Sequence, residues 1–247
     1  MFLNTDAVVL KIIPFSETSL ICRLFTKDKG KITIMAKGAR RNKSPLSSIL
    51  EPGNLIQINC ILKENRDIQL LKEACFIFNT INIRDNIKKI ITLLTVIEVL
   101  DKTTQPFNDS PILFRLINKV INKLSITNTK PIILYSFYLL QLTIQYGFKP
   151  DIRYCSKCRK KLKKGNYSKT NGELYCSLCS SNAFIVLDSD ELKLIQLLMI
   201  THINELDKLN SYHKNFFQIS VFLEEFMMNH IDGMNNVRSI NFLHNIL

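Results

Sequence analysis

Four of the seven cysteines in this 247-residue chain form two Cys-x-x-Cys pairs within one short segment. The first pair is Cys155 and Cys158, and the second is Cys176 and Cys179. Thiolate pairs at this spacing are typical of a tetrahedral zinc site, in which each pair supplies two ligands from a tight turn. Four cysteine ligands leave no open coordination position for a substrate. The spacing therefore predicts one structural Zn²⁺ ion rather than a catalytic one.

Two other uses of paired cysteines are a set of disulfide bonds and a redox-active Cys-x-x-Cys. Disulfides are typical of oxidising compartments, whereas the N-terminal segment lacks the basic stretch of a secretory signal and carries Asp6 early. A redox centre normally uses one motif rather than two matched ones. We therefore favour zinc, and we expect a cytoplasmic protein.

Basic residues crowd the segment around the cysteine pairs. Residues 149–179 carry nine Lys and Arg against two Asp and Glu. Nearby cations favour the thiolate form, but a zinc ion with four thiolates has a formal charge of only about −2. The surplus predicts a rigid basic surface, and a merely solvated lysine-rich loop is the simpler alternative. The predicted residues of this surface are Lys157, Arg159, Lys160, Lys161, Lys163 and Lys164.

A second basic cluster, "KGARRNKS", occupies residues 37–44 and follows a hairpin that also carries lysines. Clustered like charges repel one another, so folding does not explain them. Lys and Arg contacts to phosphates give affinity for nucleic acid without sequence preference, and a steep dependence on salt. The predicted nucleic-acid-binding residues of this cluster are Lys27, Lys29, Lys31, Lys37, Arg40, Arg41 and Lys43. The chain has no tryptophan, and the sequence identifies no aromatic residue that stacks on bases.

The formal net charge of +12 is unevenly distributed along the chain. Residues 1–78 carry twelve Lys and Arg against seven Asp and Glu, whereas residues 180–247 carry four against eight. A genome rich in A and T would raise the lysine content everywhere, but it would not make the last segment acidic. The asymmetry indicates a polyanionic partner, most often nucleic acid.

The first part of the chain alternates apolar and polar side chains, as strands with one buried face do. Between the third and fourth alternating stretches, Ser44 is placed to cap a short helix with Pro45 in its first position. This layout predicts a five-stranded OB-fold β-barrel, whose loops and one sheet face form the usual nucleic-acid groove. The spacing alone also allows an SH3-like barrel. The five predicted strands are residues 4–13, 18–26, 31–37, 55–62 and 67–78.

The rest of the chain changes to helical periodicity. Ser110 is placed to cap one helix, Gly147 to end another, and Asp188 or Ser189 to cap a third. The helix before Gly147 is very apolar but contains Ser, Thr and Gln, which favours a buried helix over a membrane span. The predicted fold class is α+β and multidomain. Its parts are an OB-fold nucleic-acid-binding domain at 1–78 and a mostly α-helical domain at 79–247, with a zinc-binding loop inserted at 150–183.

Patterns typical of catalytic sites are missing from the sequence. All four histidines lie after residue 200, and none forms an H-E-x-x-H motif. Only seven glycines are present, and they form no phosphate-binding G-x-x-x-x-G-K-[ST] loop. We therefore expect no enzymatic activity.

The chain resembles the RecO family of bacterial DNA repair proteins over essentially its whole length. The matching stretches are "DAVVLKIIPFSETSLICRLFTKDKGKITIMAKGARRNKS", "LEPGN", "YGFKPD" before the first cysteine pair, and "VRSINFL". The resemblance implies an OB fold, a helical domain whose four cysteines bind zinc, and a DNA-binding loop with Lys37, Arg40, Arg41 and Lys43. It also implies binding of single- and double-stranded DNA and annealing of complementary strands.

The resemblance further implies partners and a location. Members of this family act with RecR to help RecA replace single-strand-binding protein on DNA, and they contact the acidic C-terminal tail of single-strand-binding protein. We therefore expect DNA, RecR and that tail as direct partners, RecA as an indirect partner, and no membrane. The corresponding location is the cytoplasm, in association with the nucleoid.

Three other functions fit the same charge and cysteine spacing. A zinc-ribbon factor of transcription or translation would bind RNA or a polymerase. A metal-dependent hydrolase would cleave nucleic acid in the presence of Mg²⁺ or Mn²⁺. A structural adaptor would not bind DNA even at low salt.

Overall fold

The structure is a computed structural model that describes residues 1–63, 65–108, 110–126, 128–180 and 183–246. Within the predicted zinc-binding loop, residues 181 and 182 lie outside the described part of the chain. The chain forms two compact units. The first comprises Met1–Ser125 with Val237–Leu243, and the second comprises Ile126–Asn236 with His244–Leu247.

A closed five-stranded barrel forms the start of the first unit. The strand order around the barrel is β1-β2-β3-β5-β4, with β3 and β5 parallel and the other neighbouring pairs antiparallel. This order confirms the predicted OB fold and rules out the SH3-like alternative. The strands are β1 (Phe2–Phe15), β2 (Ser19–Thr26), β3 (Gly30–Ala36), β4 (Leu55–Ile61) and β5 (Ile68–Phe78).

The short helix α1 (Leu46–Ile49) lies between β3 and β4, as predicted, but it begins one residue later than expected. Pro45 occupies the N-cap position instead of the first helical position, and α1 has no side-chain cap hydrogen bond. The predicted capping role of Ser44 is therefore wrong. Its backbone oxygen instead accepts a hydrogen bond from the Ser47 hydroxyl at 2.9 Å.

The barrel core is built from the inward-facing half of each alternating strand. Burial of each such aliphatic side chain contributes about 1.5–3 kcal/mol to the free energy of unfolding. The strand patterns of the sequence predict the three remaining cysteines, Cys22, Cys60 and Cys75, as small core residues. Cys22 and Cys60 belong to this core, but Cys75 on β5 is exposed, so the prediction is wrong for Cys75. The main core residues are Ala7, Val9, Leu20, Cys22, Leu24, Ile32, Ile34, Ala36, Ile56, Ile58, Cys60 and Leu71.

Two long helices, α2 (Ile87–Thr103) and α3 (Pro111–Ile126), follow the barrel. The Asn86 side chain caps α2 by accepting a hydrogen bond from the backbone N–H of Lys89. The predicted Ser110 cap of α3 is confirmed, since its hydroxyl oxygen accepts a hydrogen bond from the Leu113 N–H at 3.3 Å. Both caps satisfy N–H groups that the first turn of a helix leaves without partners.

The second unit contains α4 (Pro131–Gln145), α5 (Ser189–Ile200) and α6 (Asn215–His230). Eleven of the residues of α4 are buried, so it is the buried helix that the sequence predicts. It ends before Gly147, whose φ of 89° is favourable only for glycine. Asp188 caps α5 in a capping box with Glu191.

Shorter elements complete the helical part of the structure. They are the 3-10 segments Ile81–Ile83, Ile203–Tyr212 and Met234–Asn236, and α7 (Ser239–Ile246). Among the described residues, no helix has both the length and the apolar character that a bilayer span requires.

Candidate metal centre and nucleic-acid interface

The structure brings the four cysteines of the two Cys-x-x-Cys pairs together. Their Sγ atoms all lie within 4.8 Å of one another, and the Sγ atoms of Cys158 and Cys176 are 3.7 Å apart. A tetrahedral zinc ion with Zn–S bonds of about 2.3 Å holds its sulfur ligands about 3.8 Å apart. The four thiols therefore fit a zinc ion, and they supply the soft ligands that zinc prefers.

Each Cys-x-x-Cys is a tight backbone turn. In the first pair, the Arg159 N–H donates to the Cys155 carbonyl oxygen and the Cys155 N–H donates to the Lys160 carbonyl oxygen, both at 2.9 Å. Arg159 has a φ of 58°, which non-glycine residues adopt rarely. In the second pair, the Cys179 N–H donates to the Cys176 carbonyl oxygen at 2.9 Å. These turns direct both thiols of a pair to the same side.

The backbone around the thiols affects their ionisation. Burial acts to raise the pKa of Cys155, but hydrogen bonds from backbone N–H groups, chiefly that of Cys158, lower the pKa to about 6. The neighbouring thiols of Cys158 and Cys176 raise the pKa of Cys179 to about 12. Sulfurs packed this closely do not all ionise unless a cation offsets their charge, which is the condition that a divalent metal ion satisfies.

A small antiparallel sheet supports the cysteine segment, which the sequence predicts as a loop held by metal alone. Its strands are β6 (Gly165–Ser168), β7 (Glu173–Tyr175) and β8 (Ile185–Leu187), in the order β7-β6-β8. Tyr167 of β6 is fully buried, and its ring meets Phe222 of α6 edge-on at 5.3 Å between centroids. The cysteine segment is thus also fixed to the helices of its own unit by a hydrophobic face.

The six basic residues predicted in this segment are all exposed. Lys161 and Lys163 flank the buried Leu162, so the strand-like alternation directs their charges to solvent. Arg153 and Lys169 are also exposed here, although neither is among the predicted residues. The excess of positive charge over residues 149–179 is the signal that would have identified them.

The barrel loop at residues 37–44 is fixed by its backbone. Ala39 is fully buried in the barrel core. The Arg40 N–H donates to the Thr18 carbonyl oxygen at 2.8 Å, and the Arg40 guanidinium donates to the Ser16 carbonyl oxygen at 3.0 Å. Lys29 is half-buried on the hairpin before β3. The exposed predicted residues of this cluster are Lys27, Lys37, Arg40, Arg41 and Lys43.

Lys31 does not share this surface, although the sequence groups it with the DNA-binding residues. Its side chain is buried, and its ammonium group donates to the backbone oxygen of Asp101 at 2.5 Å. The Asp101 carboxylate lies 3.9 Å from the same ammonium group and 3.0 Å from the guanidinium of Arg23. Lys31 is therefore part of a buried charge cluster, and its ammonium group is not available to a phosphate.

Two family models match the chain one after the other. The first is described as Recombination protein O N terminal and matches residues 1–80. The second is described as Recombination protein O C terminal and matches residues 84–238. Together they cover the barrel and most of the helical part of the chain.

Individual proteins named DNA repair protein RecO are similar to this chain. The protein from Prosthecochloris aestuarii is 30% identical over 155 residues, which is 63% of this chain and 59% of that protein. The protein from Salinibacter ruber is 33% identical over 149 residues, covering 60% and 57% respectively. The protein from Thermodesulfovibrio yellowstonii is 28% identical over 242 residues, covering 94% and 92%. The matched regions thus span just under three fifths of the first two proteins and nearly all of the third.

Proposed function

Because the chain belongs to the recombination protein O family, we propose that it is a DNA repair protein that binds single- and double-stranded DNA and anneals complementary strands. We propose further that it acts with RecR to help RecA replace single-strand-binding protein, whose acidic tail it contacts. In this proposal, residues 1–78 are the OB-fold DNA-binding domain. Residues 79–247 are the helical domain, with the zinc-binding segment at 150–183.

The observation that carries this proposal is the pair of exposed basic clusters, each fixed to a rigid frame. One is the barrel loop, fixed by the buried Ala39, and the other is the cysteine segment, fixed by the buried Tyr167. Complementary strands repel one another through their phosphates. A protein that neutralises both strands lowers this repulsion and brings the bases within pairing distance, a process that requires no catalytic residue.

Zinc has a structural role in this proposal. Cys155, Cys158, Cys176 and Cys179 would hold the ion, which would brace the two tight turns against each other. The exposed lysines would then be presented in a fixed arrangement, so that little side-chain and loop entropy is lost when DNA binds. The exposed Lys and Arg side chains, rather than the zinc ion, would contact the phosphates.

A strand-annealing assay tests the proposal directly. Complementary oligonucleotides, one of them precoated with single-strand-binding protein, are mixed with the protein in the presence and absence of RecR. We expect faster annealing than without the protein, and weaker acceleration by the variant Lys37→Glu/Arg41→Glu/Lys43→Glu. The matched control Lys193→Glu/Lys208→Glu/Lys214→Glu changes three exposed lysines of the acidic segment and should behave as wild type. Annealing at the uncatalysed rate would overturn the proposal.

Parallel binding measurements separate the proposal from a zinc-ribbon factor that binds RNA. Single-stranded DNA, duplex DNA and a structured RNA of equal length are titrated under the same salt conditions. We expect both forms of DNA to bind. A strong preference for the structured RNA would favour the RNA-binding function instead.

A further inference from the structure

The cysteine segment and the residue that leads from it into β8 carry exposed aromatic rings beside cations, a combination that the sequence does not reveal. Tyr154 precedes the first cysteine and is 40% exposed, and Phe184 precedes β8 and is 54% exposed. Both belong to the second compact unit. Single exposed apolar side chains are common on protein surfaces, but each of these two rings has a cation beside it.

Tyr154 lies among basic residues. It forms an antiparallel bridge with Lys161, so their side chains are cross-strand neighbours on one face. The guanidinium of Arg153 lies 5.8 Å from the centroid of the Tyr154 ring. The backbone on both sides is held, because the Leu162 N–H donates to the Arg153 carbonyl oxygen at 2.8 Å and the Cys155 N–H donates to the Lys160 carbonyl oxygen at 2.9 Å. The ring therefore has a guanidinium group beside it and a lysine as its cross-strand neighbour.

Phe184 is held in a similar way. Its N–H donates to the Tyr167 carbonyl oxygen at 2.9 Å, which extends the pairing of β8 with β6. The ammonium group of Lys169 lies 4.7 Å from the centroid of the Phe184 ring. That ammonium group is itself fixed by the Glu225 carboxylate at 2.9 Å. One face of the Phe184 ring is therefore covered by a positioned cation.

The surroundings of these rings identify the chemistry of the partner. The central parts of protein–protein interfaces are depleted in lysine, whereas Arg153 lies beside the Tyr154 ring, Lys169 lies over the Phe184 ring, and residues 149–179 carry nine Lys and Arg. Proteins that bind single-stranded nucleic acid combine a basic groove, which follows the phosphates, with aromatic side chains on which unpaired bases stack. Bases in a duplex stack on one another and do not offer their faces to such rings.

We propose that Tyr154 and Phe184 stack on unpaired bases, so that the cysteine segment distinguishes single-stranded DNA from duplex DNA. This inference rests on the proposed DNA-binding function and adds the residues that select the form of the DNA. The neighbouring lysines bind phosphates of either form. The two rings contribute affinity only where bases are unpaired.

The test compares affinities for a single strand and for the duplex of the same sequence. We expect Tyr154→Ala and Phe184→Ala each to weaken single-strand binding by about fivefold to a hundredfold. Duplex affinity and the salt dependence of binding should stay unchanged. The control Tyr212→Ala removes a similarly exposed ring, 51% accessible, from the acidic segment, and should change neither affinity. Zinc content and circular dichroism confirm that each variant is folded.

A second readout uses the absence of tryptophan from the chain. Tyr154→Trp and Phe184→Trp retain a stacking ring and introduce a single fluorophore at each position. We expect both variants to keep single-strand affinity and to lose fluorescence when a single strand binds, but not when a duplex binds. Wild-type protein that binds no DNA would contradict the proposed function. Wild-type protein that binds single strands while the alanine variants match Tyr212→Ala would contradict only this inference.

Discussion

At the scale of single residues, the cysteines of the candidate metal centre have different environments. Cys155 is buried and receives hydrogen bonds from backbone N–H groups, which lower its pKa to about 6 despite its burial. A thiolate therefore forms more readily at this position than on an ordinary cysteine, so protons compete less with a metal ion for it. Serine in its place would keep the size of the side chain but would remove the soft, easily ionised ligand.

The first prediction concerns this ligand. Purified wild-type protein should contain about one zinc per chain after dialysis, as four thiolates in a structural site require. Cys155→Ser should retain little zinc and should be cleaved faster by protease within residues 150–180, because the two turns lose their shared anchor. Metal analysis and limited proteolysis provide the measurements. Cys75→Ser alters an exposed thiol of β5 and serves as the control. Full zinc retention by Cys155→Ser would contradict the assignment.

The second prediction concerns the buried pair of Glu224 and His244, whose side chains lie 2.9 Å apart at Nε2 and Oε2. The hydrogen bond to Glu224 raises the pKa of His244, and burial raises the pKa of Glu224. A raised folded pKa means that the folded chain holds its proton more tightly than the unfolded chain. The stability from His244 is therefore fully present below its unfolded pKa of about 6.5 and is lost as the pH rises through the folded value.

His244→Gln should consequently lower the free energy of unfolding by about 1–3 kcal/mol at about pH 6. The difference from wild type should shrink as the pH rises to about 8.5, because the stability that the protonated imidazole contributes is lost as the folded chain releases that proton. Urea unfolding at the two pH values measures both quantities. His213→Gln changes an exposed histidine and serves as the control. If the difference in the free energy of unfolding between wild type and His244→Gln grew with pH, the Glu224–His244 pair would not stabilise the protein in the way described.

At the scale of elements, α2 is joined to the barrel strands within the first unit by packing and by charge. Gly53, with a φ of 90°, lies so close to α2 that a Cβ atom there would be 2.6 Å from a methyl group of Leu93. Asp101 of α2 is 4% exposed and pairs with Arg23 of β2 and Lys31 of β3. The helix thus supports the barrel from which the candidate DNA-binding loop projects.

The third prediction is that Asp101→Asn destabilises the protein by about 2–4 kcal/mol, since it leaves two partly buried cations without a counter-charge. The free energy of unfolding from a urea titration measures this loss. Asp67→Asn, at an exposed position before β5, should change it by less than about 0.5 kcal/mol. Equal stabilities of the two variants would mean that the buried cluster contributes little to the barrel.

At the scale of the whole molecule, positive charge is present in both compact units but is not uniform along the chain. The barrel loop belongs to the first unit and the cysteine segment to the second, whereas residues 180–247 carry four Lys and Arg against eight Asp and Glu. Two basic surfaces and an acidic segment on one chain favour contacts of polyanions with particular regions rather than with the entire surface.

The fourth prediction concerns the salt dependence of DNA binding. Lys160→Glu/Lys163→Glu/Lys164→Glu should weaken single-strand binding and reduce the slope of log affinity against log salt by about 2, since each lost phosphate contact contributes about 0.7. Fluorescence anisotropy from low to moderate salt measures the slope. The triple variant of Lys193, Lys208 and Lys214 introduces the same charge change at exposed positions elsewhere. An unchanged slope would remove the cysteine segment from the DNA-binding surface.

Features that depend only on neighbouring residues can be predicted from the sequence. Alternation of apolar and polar side chains predicts the five barrel strands, and Ser110, Gly147 and Asp188 predict helix ends that the structure confirms. These signals are local, because a strand repeats every two residues and a cap needs only the first turn of a helix. The spacing of the four cysteines likewise predicted that their thiols would meet.

The availability of each basic residue to a partner, and the side chains that lie beside it, depend on how distant parts of the chain pack together. Lys31 is buried because its partner Asp101 lies 70 residues further along the chain, and no local pattern encodes that pairing. The strands β6, β7 and β8 are too short to be recognised in the sequence from alternating apolar and polar side chains. Their pairing nevertheless leaves Phe184 exposed and Tyr167 buried. Burial depends on contacts between segments that are distant in the sequence. Whether a charged or aromatic side chain is available to a partner is therefore decided only when the chain has folded.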